Sequence, residues 1–159
     1  MTAEVSRTDR AARDIAAPPA ALWAAWADPE RLVRWLPPPG ATGEVLDWDF
    51  RDGGAFCLRL TFAADAGKTT ADTDLITGRF VALSPPGHLA HAGEFASDDP
   101  AFAGTMRLDW RFDPAPGGSR ASIEATGVPP GIDQGVHEAA LAASLDQLAE
   151  DVARAARDT

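Results

Sequence analysis

The sequence is poor in cysteine, lysine and tyrosine. Its 159 residues include one cysteine, Cys57, and one lysine, Lys68, and they include no tyrosine. A single cysteine cannot form a disulfide within the chain or a cysteine cluster for a metal ion, so a reducing compartment is the simplest expectation. Because tyrosine is absent, the indole N–H of tryptophan is the polar group that the large aromatic side chains can offer.

Positive charge is also scarce. The chain has 24 acidic residues against 14 lysines and arginines, which gives a net charge of -10 at pH 7. Such a surface repels phosphate groups, which argues against nucleic acid as a partner and against anionic membrane surfaces. No apolar run is long enough for membrane insertion or typical of a signal peptide, so we expect a cytoplasmic protein.

What the chain does contain is enough apolar surface for one core. Five tryptophans and seven phenylalanines are spread along it, without an internal repeat or a low-complexity linker between them. This length fits one ordinary domain. We therefore predict a single domain over residues 1–159, with its core over about residues 10–156.

The first third of the chain predicts a strand followed by two short helices. The strand covers about Arg10–Ala16 and the first helix covers Ala20–Ala27. Asp28 and Pro29 then form a start signal for the second helix, because aspartate caps a helix and proline suits its first turn. That helix must end before Pro37, where a run of prolines begins.

The middle of the chain alternates apolar and polar residues with a period of two. This period is typical of an antiparallel sheet with one covered face. Two of the six strands predicted here cover about residues 75–83 and 88–95. In the other four strands, the apolar faces are Leu46, Trp48 and Phe50; Phe56, Leu58, Leu60 and Phe62; Met106, Leu108, Trp110 and Phe112; and Ala121, Ile123 and Ala125.

The last part predicts one long helix. Asp133 is its expected cap, and nothing breaks the helix from Gln134 to about Ala156 except a glycine in the first turn. Its apolar stripe consists of Leu141, Leu145, Leu148 and Val152, with Asp151 away from the stripe. A helix of this length, roughly 30–35 Å, can cross a whole sheet. The predicted class is therefore α+β, with six or seven antiparallel strands and a long C-terminal helix.

Five segments of the chain are similar to one known family. They read DIAAP at 14–18, ADPERLVRW at 27–35, FRDGGAF at 50–56, GRFVALSPP at 78–86, and HEAAL with SLDQLA at 137–149. Together they resemble the START-like (SRPBCC) superfamily, in the branch named for the activator of the heat-shock-protein-90 ATPase. The resemblance implies a helix-grip fold, in which a curved sheet wraps around the long helix and a cavity remains between them.

The resemblance also implies where a ligand would lie. The candidate ligand-binding residues are inward positions of the strands, of the second short helix and of the long C-terminal helix. For the apolar candidates, ordinary core packing is the competing interpretation. At Ala140 and Leu141 the sequence departs from the family, which usually has glycine and a bulkier apolar residue there. The predicted ligand-binding residues are Trp35, Trp48, Phe56, Leu58, Leu60, Phe80, His91, Met106, Leu108, Trp110, His137 and Leu141.

The three histidines are the polar candidates. His137 lies one turn before Leu141 and would place an imidazole at the cavity mouth, or else be a surface histidine satisfied by water. His91 shares the inward phase of its strand, as a neutral hydrogen-bonded core histidine or as a proton carrier. His88 precedes its strand and is predicted to be solvated.

Other chemical motifs are missing from the sequence. The histidines have no metal-ligand spacing with acidic residues or with Cys57, which lies in the outward phase of its strand, so neither a metal nor a cofactor is predicted. No nucleophile elbow or glycine-rich phosphate loop follows a strand. Arg79 and Glu94 lie on neighbouring predicted strands and are expected to form a surface ion pair.

Three functions remain open at this point. The first is a binding protein for a small hydrophobic molecule, acting as a monomer or homodimer. The second is an enzyme of the polyketide-cyclase or hydrolase type, in which His91 or His137 moves a proton. The third is a chaperone partner that stimulates an ATPase, which only the resemblance implies. The fold alone does not choose among them.

Overall fold

Seven strands and one long helix account for most of the chain. The computed structural model describes residues 7–63 and 67–158, so residues 1–6, 64–66 and 159 of the predicted domain lie outside the description. The described strands and α-helices are β1 (Thr8–Ile15), α1 (Pro19–Ala27), α2 (Pro29–Trp35), β2 (Ala41–Trp48), β3 (Ala55–Phe62), β4 (Thr73–Ser84), β5 (His88–Phe95), β6 (Met106–Ala115), β7 (Gly118–Thr126) and α3 (Gln134–Arg157), with a short 3-10 helix at Pro100–Phe102.

The strands form one antiparallel sheet in the order β1-β7-β6-β5-β4-β3-β2. Helix α3 packs against β1 and β7 and also against α1 and α2. The predicted α+β class and helix-grip arrangement are thereby confirmed. None of the helices in the described part of the chain is long and apolar enough to cross a membrane.

The helix boundaries follow the expected capping chemistry. Asp28 accepts a hydrogen bond from the backbone N–H of Glu30 at 3.0 Å, with Pro29 in the first turn of α2. Asp133 accepts from the backbone N–H of Val136 at 2.9 Å and starts α3. In each case the carboxylate satisfies a backbone donor that the helix itself leaves unpaired.

The prediction that Leu46 faces inward with Trp48 is wrong. A β-bulge lies between Val45 and Asp47, so that Val45 pairs with Leu58 while Trp48 pairs with Phe56. The extra residue changes the alternation by one position, because side chains alternate strictly along a strand. Leu46 is therefore 45% exposed, while Trp48 is returned to the core face.

Asp151, predicted to lie away from the apolar stripe of α3, is nevertheless buried. The apolar stripe of α3 is buried as expected, but Asp151 is only 4% exposed. Its carboxylate accepts two hydrogen bonds from Arg31 of α2, at 2.8 and 3.0 Å. Because α2 packs against this flank of α3, the aspartate is covered by its own ion-pair partner.

Two surface expectations are likewise corrected. Arg79 donates to the carbonyl oxygen of Gly53, and Glu94 accepts from the hydroxyl of Thr105, so the expected pair between Arg79 and Glu94 is replaced by these contacts. His88 is the first residue of β5 and is half-buried rather than solvated. Its Nε2 lies 2.8 Å from an oxygen of Asp109 on the neighbouring strand.

An aromatic cluster fills one end of the space between the sheet and the helices. Its members are Trp26, Trp35, Trp48, Phe50, Phe56, Phe80 and Trp110. Trp26 lies at its centre, with ring centroids 5.5 Å from Trp35 and 5.0 Å from Trp110, both edge to face. Such pairs each add about 0.5–1.5 kcal/mol beyond the buried area.

Candidate ligand cavity

A cavity of about 400 Å³ opens at the other end of this space, between α3 and strands β3 to β6. Its wall is mostly apolar. The sheet contributes Phe56, Leu58, Leu60, Phe62, Asp74, Ile76, His91, Gly93, Glu94, Phe95, Met106, Leu108 and Trp110. Helix α3 and the loops contribute Leu36, Pro38, Pro39, Lys68, Ile132, Val136, His137, Ala140, Leu141 and Ser144.

Nine of the twelve predicted ligand-binding residues line this cavity. They are Phe56, Leu58, Leu60, His91, Met106, Leu108, Trp110, His137 and Leu141. The other three, Trp35, Trp48 and Phe80, lie in the aromatic cluster. Alternation identifies the face on which a side chain lies, but it does not show whether another ring lies between that side chain and the cavity.

Two glycines shape the sheet side of the wall. A Cβ atom at Gly78 would lie 2.7 Å from the end of the Phe56 ring, and one at Gly93 would lie 3.4 Å from the same atom. The ring of Phe56 therefore lies over bare backbone. Gly93 itself lines the cavity. Glycine at these two positions lets a large aromatic ring lie close to the sheet without filling the space above it.

His91 is the polar group on the inner side of the cavity. Its ring packs against Trp26 and Phe56, with centroids 5.4 and 5.6 Å away, and its Nε2 accepts a hydrogen bond from Trp110 Nε1 at 3.2 Å. Burial lowers the pKa of His91 from 6.5 to about 4, against a weaker opposing effect of the Asp109 carboxylate. The imidazole is therefore neutral at pH 7.

His137 lines the cavity next to the exposed Val136 and has a charged partner. Its Nδ1 is 2.7 Å from an oxygen of the fully buried Asp9 on β1. Arg7 donates two hydrogen bonds to the same carboxylate, each at 2.8 Å. Burial acts to raise the pKa of Asp9, but the bonds from Arg7 and His137 outweigh it and the pKa is lowered. The interpretation of His137 as a water-satisfied surface residue is wrong.

A second ion pair lies at the edge of the cavity near β4. Lys68 Nζ is 2.9 Å from an oxygen of Asp74, which is only 3% exposed. The same ammonium lies 4.9 Å from the ring centroid of Phe95, within the range of a cation–π contact. The charges of Lys68 and Asp74 are thus compensated within the protein, and most of the cavity wall is apolar.

Several wall residues were not predicted. Phe62 lies on the same face of β3 as the predicted residues, so the alternation along this strand was sufficient to predict it as a wall residue. Lys68 and Asp74 had no such signal, because their pairing depends on how the loop before β4 folds back. Among the described residues, no group of three or more histidine, cysteine and acidic side chains is arranged to hold a metal ion.

The sheet, the long helix and the cavity between them define a protein of the START-like, helix-grip class. The family model described as "Activator of Hsp90 ATPase homolog 1-like protein" matches residues 16–153, and the chain belongs to this family. A comparison with curated proteins finds no significant match.

Solved structures support this assignment. A protein of Chromobacterium violaceum is 32% identical, with a TM-score of 0.81, over 91% of this chain and 96% of that chain. The AHSA1-like protein of Aeromonas hydrophila is 20% identical, with a TM-score of 0.72, over 94% of both chains. A protein of Mycobacterium smegmatis is 23% identical, with a TM-score of 0.73, over 93% of this chain and 92% of that chain. The latter two show the shared fold.

Proposed function

We propose that the protein binds a small, largely apolar molecule in the cavity between α3 and the sheet. The observation that carries this proposal is an open cavity of about 400 Å³ whose wall is mostly apolar. Lys68, Asp74 and His137 have ion-pair partners, and Glu94 accepts a hydrogen bond from the Thr105 hydroxyl. Cavities of this size and lining are typical of sites for small molecules, because apolar contacts supply affinity and a few polar groups supply orientation.

The test is a thermal-shift screen with neutral hydrophobic compounds, preceded by extraction of the purified protein with organic solvent. A compound present at about 100 times its dissociation constant should stabilise the native state by about 2.7 kcal/mol. For a domain of this size, that corresponds to a rise in Tm of roughly 5–10 °C. Strongly hydrophilic compounds serve as controls. A library of compounds that fit the cavity without any stabilisation would contradict the proposal.

An enzymatic function is the second candidate, and the Asp9–His137 pair favours it. Asp9 is ionised and can only accept, so His137 Nδ1 carries the proton that it donates. In the neutral form of this ring, the lone pair is on His137 Nε2, as a general base requires, and the residue lines the cavity. His91 suits this role less well, because its own lone pair is on Nε2, which accepts from Trp110.

The enzymatic candidate predicts hydrolysis of a neutral aryl ester such as 2-naphthyl acetate. His137 would take a proton from a water molecule as the water oxygen attacks the ester carbonyl. It would return that proton to the 2-naphthoxide leaving group as the acyl–oxygen bond breaks, which gives acetic acid and 2-naphthol. Replacing His137 by Gln should then lower the rate about 10²–10⁴-fold. The variant His88→Asn is the control, because His88 is paired with Asp109 rather than with Asp9. A wild-type rate equal to that of buffer would exclude this activity. The chaperone-partner hypothesis rests on the family description alone.

A further inference from the structure

We propose that the ligand carries a neutral hydrogen-bond acceptor, such as a ketone or ester carbonyl, and that His91 Nδ1–H donates to it inside the cavity. This inference rests on the proposed binding function and adds the chemical class of the ligand. It follows from the position of the proton on one imidazole ring and from what surrounds that proton.

Trp110 determines which nitrogen of His91 carries the proton. An indole N–H can donate a hydrogen bond but cannot accept one. Trp110 Nε1 lies 3.2 Å from His91 Nε2 within the buried aromatic cluster, so Nε2 must supply the lone pair. A neutral imidazole has one proton, which then lies on Nδ1. The ring therefore has a fixed tautomer with its donor on the side away from Trp110.

This Nδ1–H donor is unsatisfied within the protein. No described residue accepts a hydrogen bond from it, although His91 Nε2 has its partner. The rings of Trp26 and Phe56 pack against the His91 ring, with centroids 5.4 and 5.6 Å away. The side chain nevertheless retains exposed surface, and His91 is one of the residues that line the cavity. The open side of the imidazole therefore faces the ligand space.

A water molecule is a poor substitute for a ligand acceptor at this position. A buried water is held well when it has two to four polar partners. On the cavity wall, His91 packs against the ring of Phe56 and lies opposite Leu108 on the neighbouring strand. The indole N–H of Trp110 is already used by His91 Nε2. An apolar molecule with one acceptor can satisfy the donor and fill the surrounding space at the same time.

The acceptor should be neutral rather than a carboxylate. His91 has no positive charge at pH 7, because burial keeps its pKa near 4. The Lys68 ammonium is already paired with Asp74. An anionic group placed beside His91 would therefore be desolvated without a counter-charge, which is strongly unfavourable.

Nuclear magnetic resonance of the wild-type protein with ¹⁵N-labelled histidine tests the inference directly. The probes are 2-acetylnaphthalene and 2-ethylnaphthalene, which have nearly the same shape but differ in the carbonyl oxygen. The ligand-free spectrum should show His91 neutral and protonated at Nδ1. The acetyl probe should move the Nδ1–H proton signal downfield and slow its exchange with water, whereas the ethyl probe should do neither.

Affinities give an independent measurement. Both probes are titrated against wild type and His91→Phe, with quenching of tryptophan fluorescence as the signal and His88→Asn as the control. The substitution should weaken binding of the acetyl probe about five- to tenfold relative to the ethyl probe, the loss expected for one hydrogen bond. If His91→Phe does not fold, the wild-type spectra decide.

The outcomes separate this inference from the proposed function. Binding of both probes with a proton on His91 Nε2, or with equal responses of Nδ1–H to the two probes, would overturn the inference and leave the binding function standing. Failure of both probes to bind wild type would overturn the binding function, and the inference with it. A carbonyl-specific response at Nδ1–H supports both.

Discussion

The two ends of the space between the sheet and the helices are filled in opposite ways. At one end, Trp26, Trp35 and Trp110 are each 1% exposed, and their ring centroids lie 5.0–5.6 Å apart in edge-to-face contacts. At the other end, Met106 and Leu108 remain partly exposed to a cavity of about 400 Å³.

The two ends differ because different helices cover them. Helices α1 and α2 deliver large aromatic side chains to one end of the inner face, with α1 packed on β6 and α2 on β2. Over β3 to β6 at the other end, α3 offers small side chains such as Ala140 and Ser144. The same sheet is therefore a closely packed core at one end and the wall of an open cavity at the other.

The largest expected effect comes from truncating the closed end. Trp26→Ala should lower the free energy of unfolding by about 3–5 kcal/mol, because it removes a fully buried ring from the centre of the aromatic cluster. Urea denaturation measures this loss. Trp23→Ala is the matched control on α1. Because Trp23 is only half-buried, this variant should lose much less free energy of unfolding. If both variants lost the same free energy of unfolding, the aromatic cluster would not be the closely packed end of the molecule.

Acidification should weaken the fold through His91, which lies where the two ends meet. Its pKa is about 4 in the folded protein and 6.5 when unperturbed, so between these values the unfolded chain binds more protons than the native state. Stability therefore falls as the pH is lowered from 6.5 towards 4, by about 3 kcal/mol for this difference in pKa. Asp9 and Asp109, whose pKa values are lowered, lose their contributions only at more acidic pH.

Denaturation curves at several pH values check this expectation. His91→Phe should show a flatter dependence than wild type between pH 6.5 and pH 4, because a phenylalanine has no proton to gain. A wild-type stability that does not change over this interval, or a slope that the substitution leaves unaltered, would show that His91 is not held neutral by its surroundings.

A smaller loss is expected from truncating the open end. Leu108→Ala should cost about 1–2 kcal/mol, because one side of this residue already faces empty space and has few packing contacts to lose. Leu89→Ala on the neighbouring strand is the control, since Leu89 is 0% exposed and should cost about 2–5 kcal/mol. A larger loss at Leu108 than at Leu89 would argue that the cavity is closed in solution.

Much of the fold follows from local patterns in the sequence. Strand β5 ends at Phe95 as predicted, and the caps Asp28 and Asp133 start their helices as expected. The error at Leu46 has a local cause, because one inserted residue in β2 reverses the alternation and no turn residue marks it. The alternation of apolar residues and the capping of helices depend on residues close together in the chain, so both can be predicted from a single sequence.

The candidate site could be predicted only in part. The alternation placed His91 and Leu108 inward, and both line the cavity. The partner of His137 is Asp9, 128 residues away, and that contact depends on how α3 packs against β1. Trp48 has the right phase but lies in the aromatic cluster. How deeply a side chain is buried, and which distant residue it contacts, depend on how whole helices and strands pack together. The apolar period of a single segment does not contain this information.

The most direct test of this account is to close the cavity without disturbing the closed end. Ala140 on α3 lines the cavity, whereas Ala142 on the same helix is exposed. Binding of 2-acetylnaphthalene, measured by tryptophan fluorescence, should saturate in wild type and in Ala142→Phe, and should be at least about tenfold weaker in Ala140→Phe because the new ring fills the ligand space. Equal affinity in all three proteins would contradict the account, since the molecule would then bind outside the cavity.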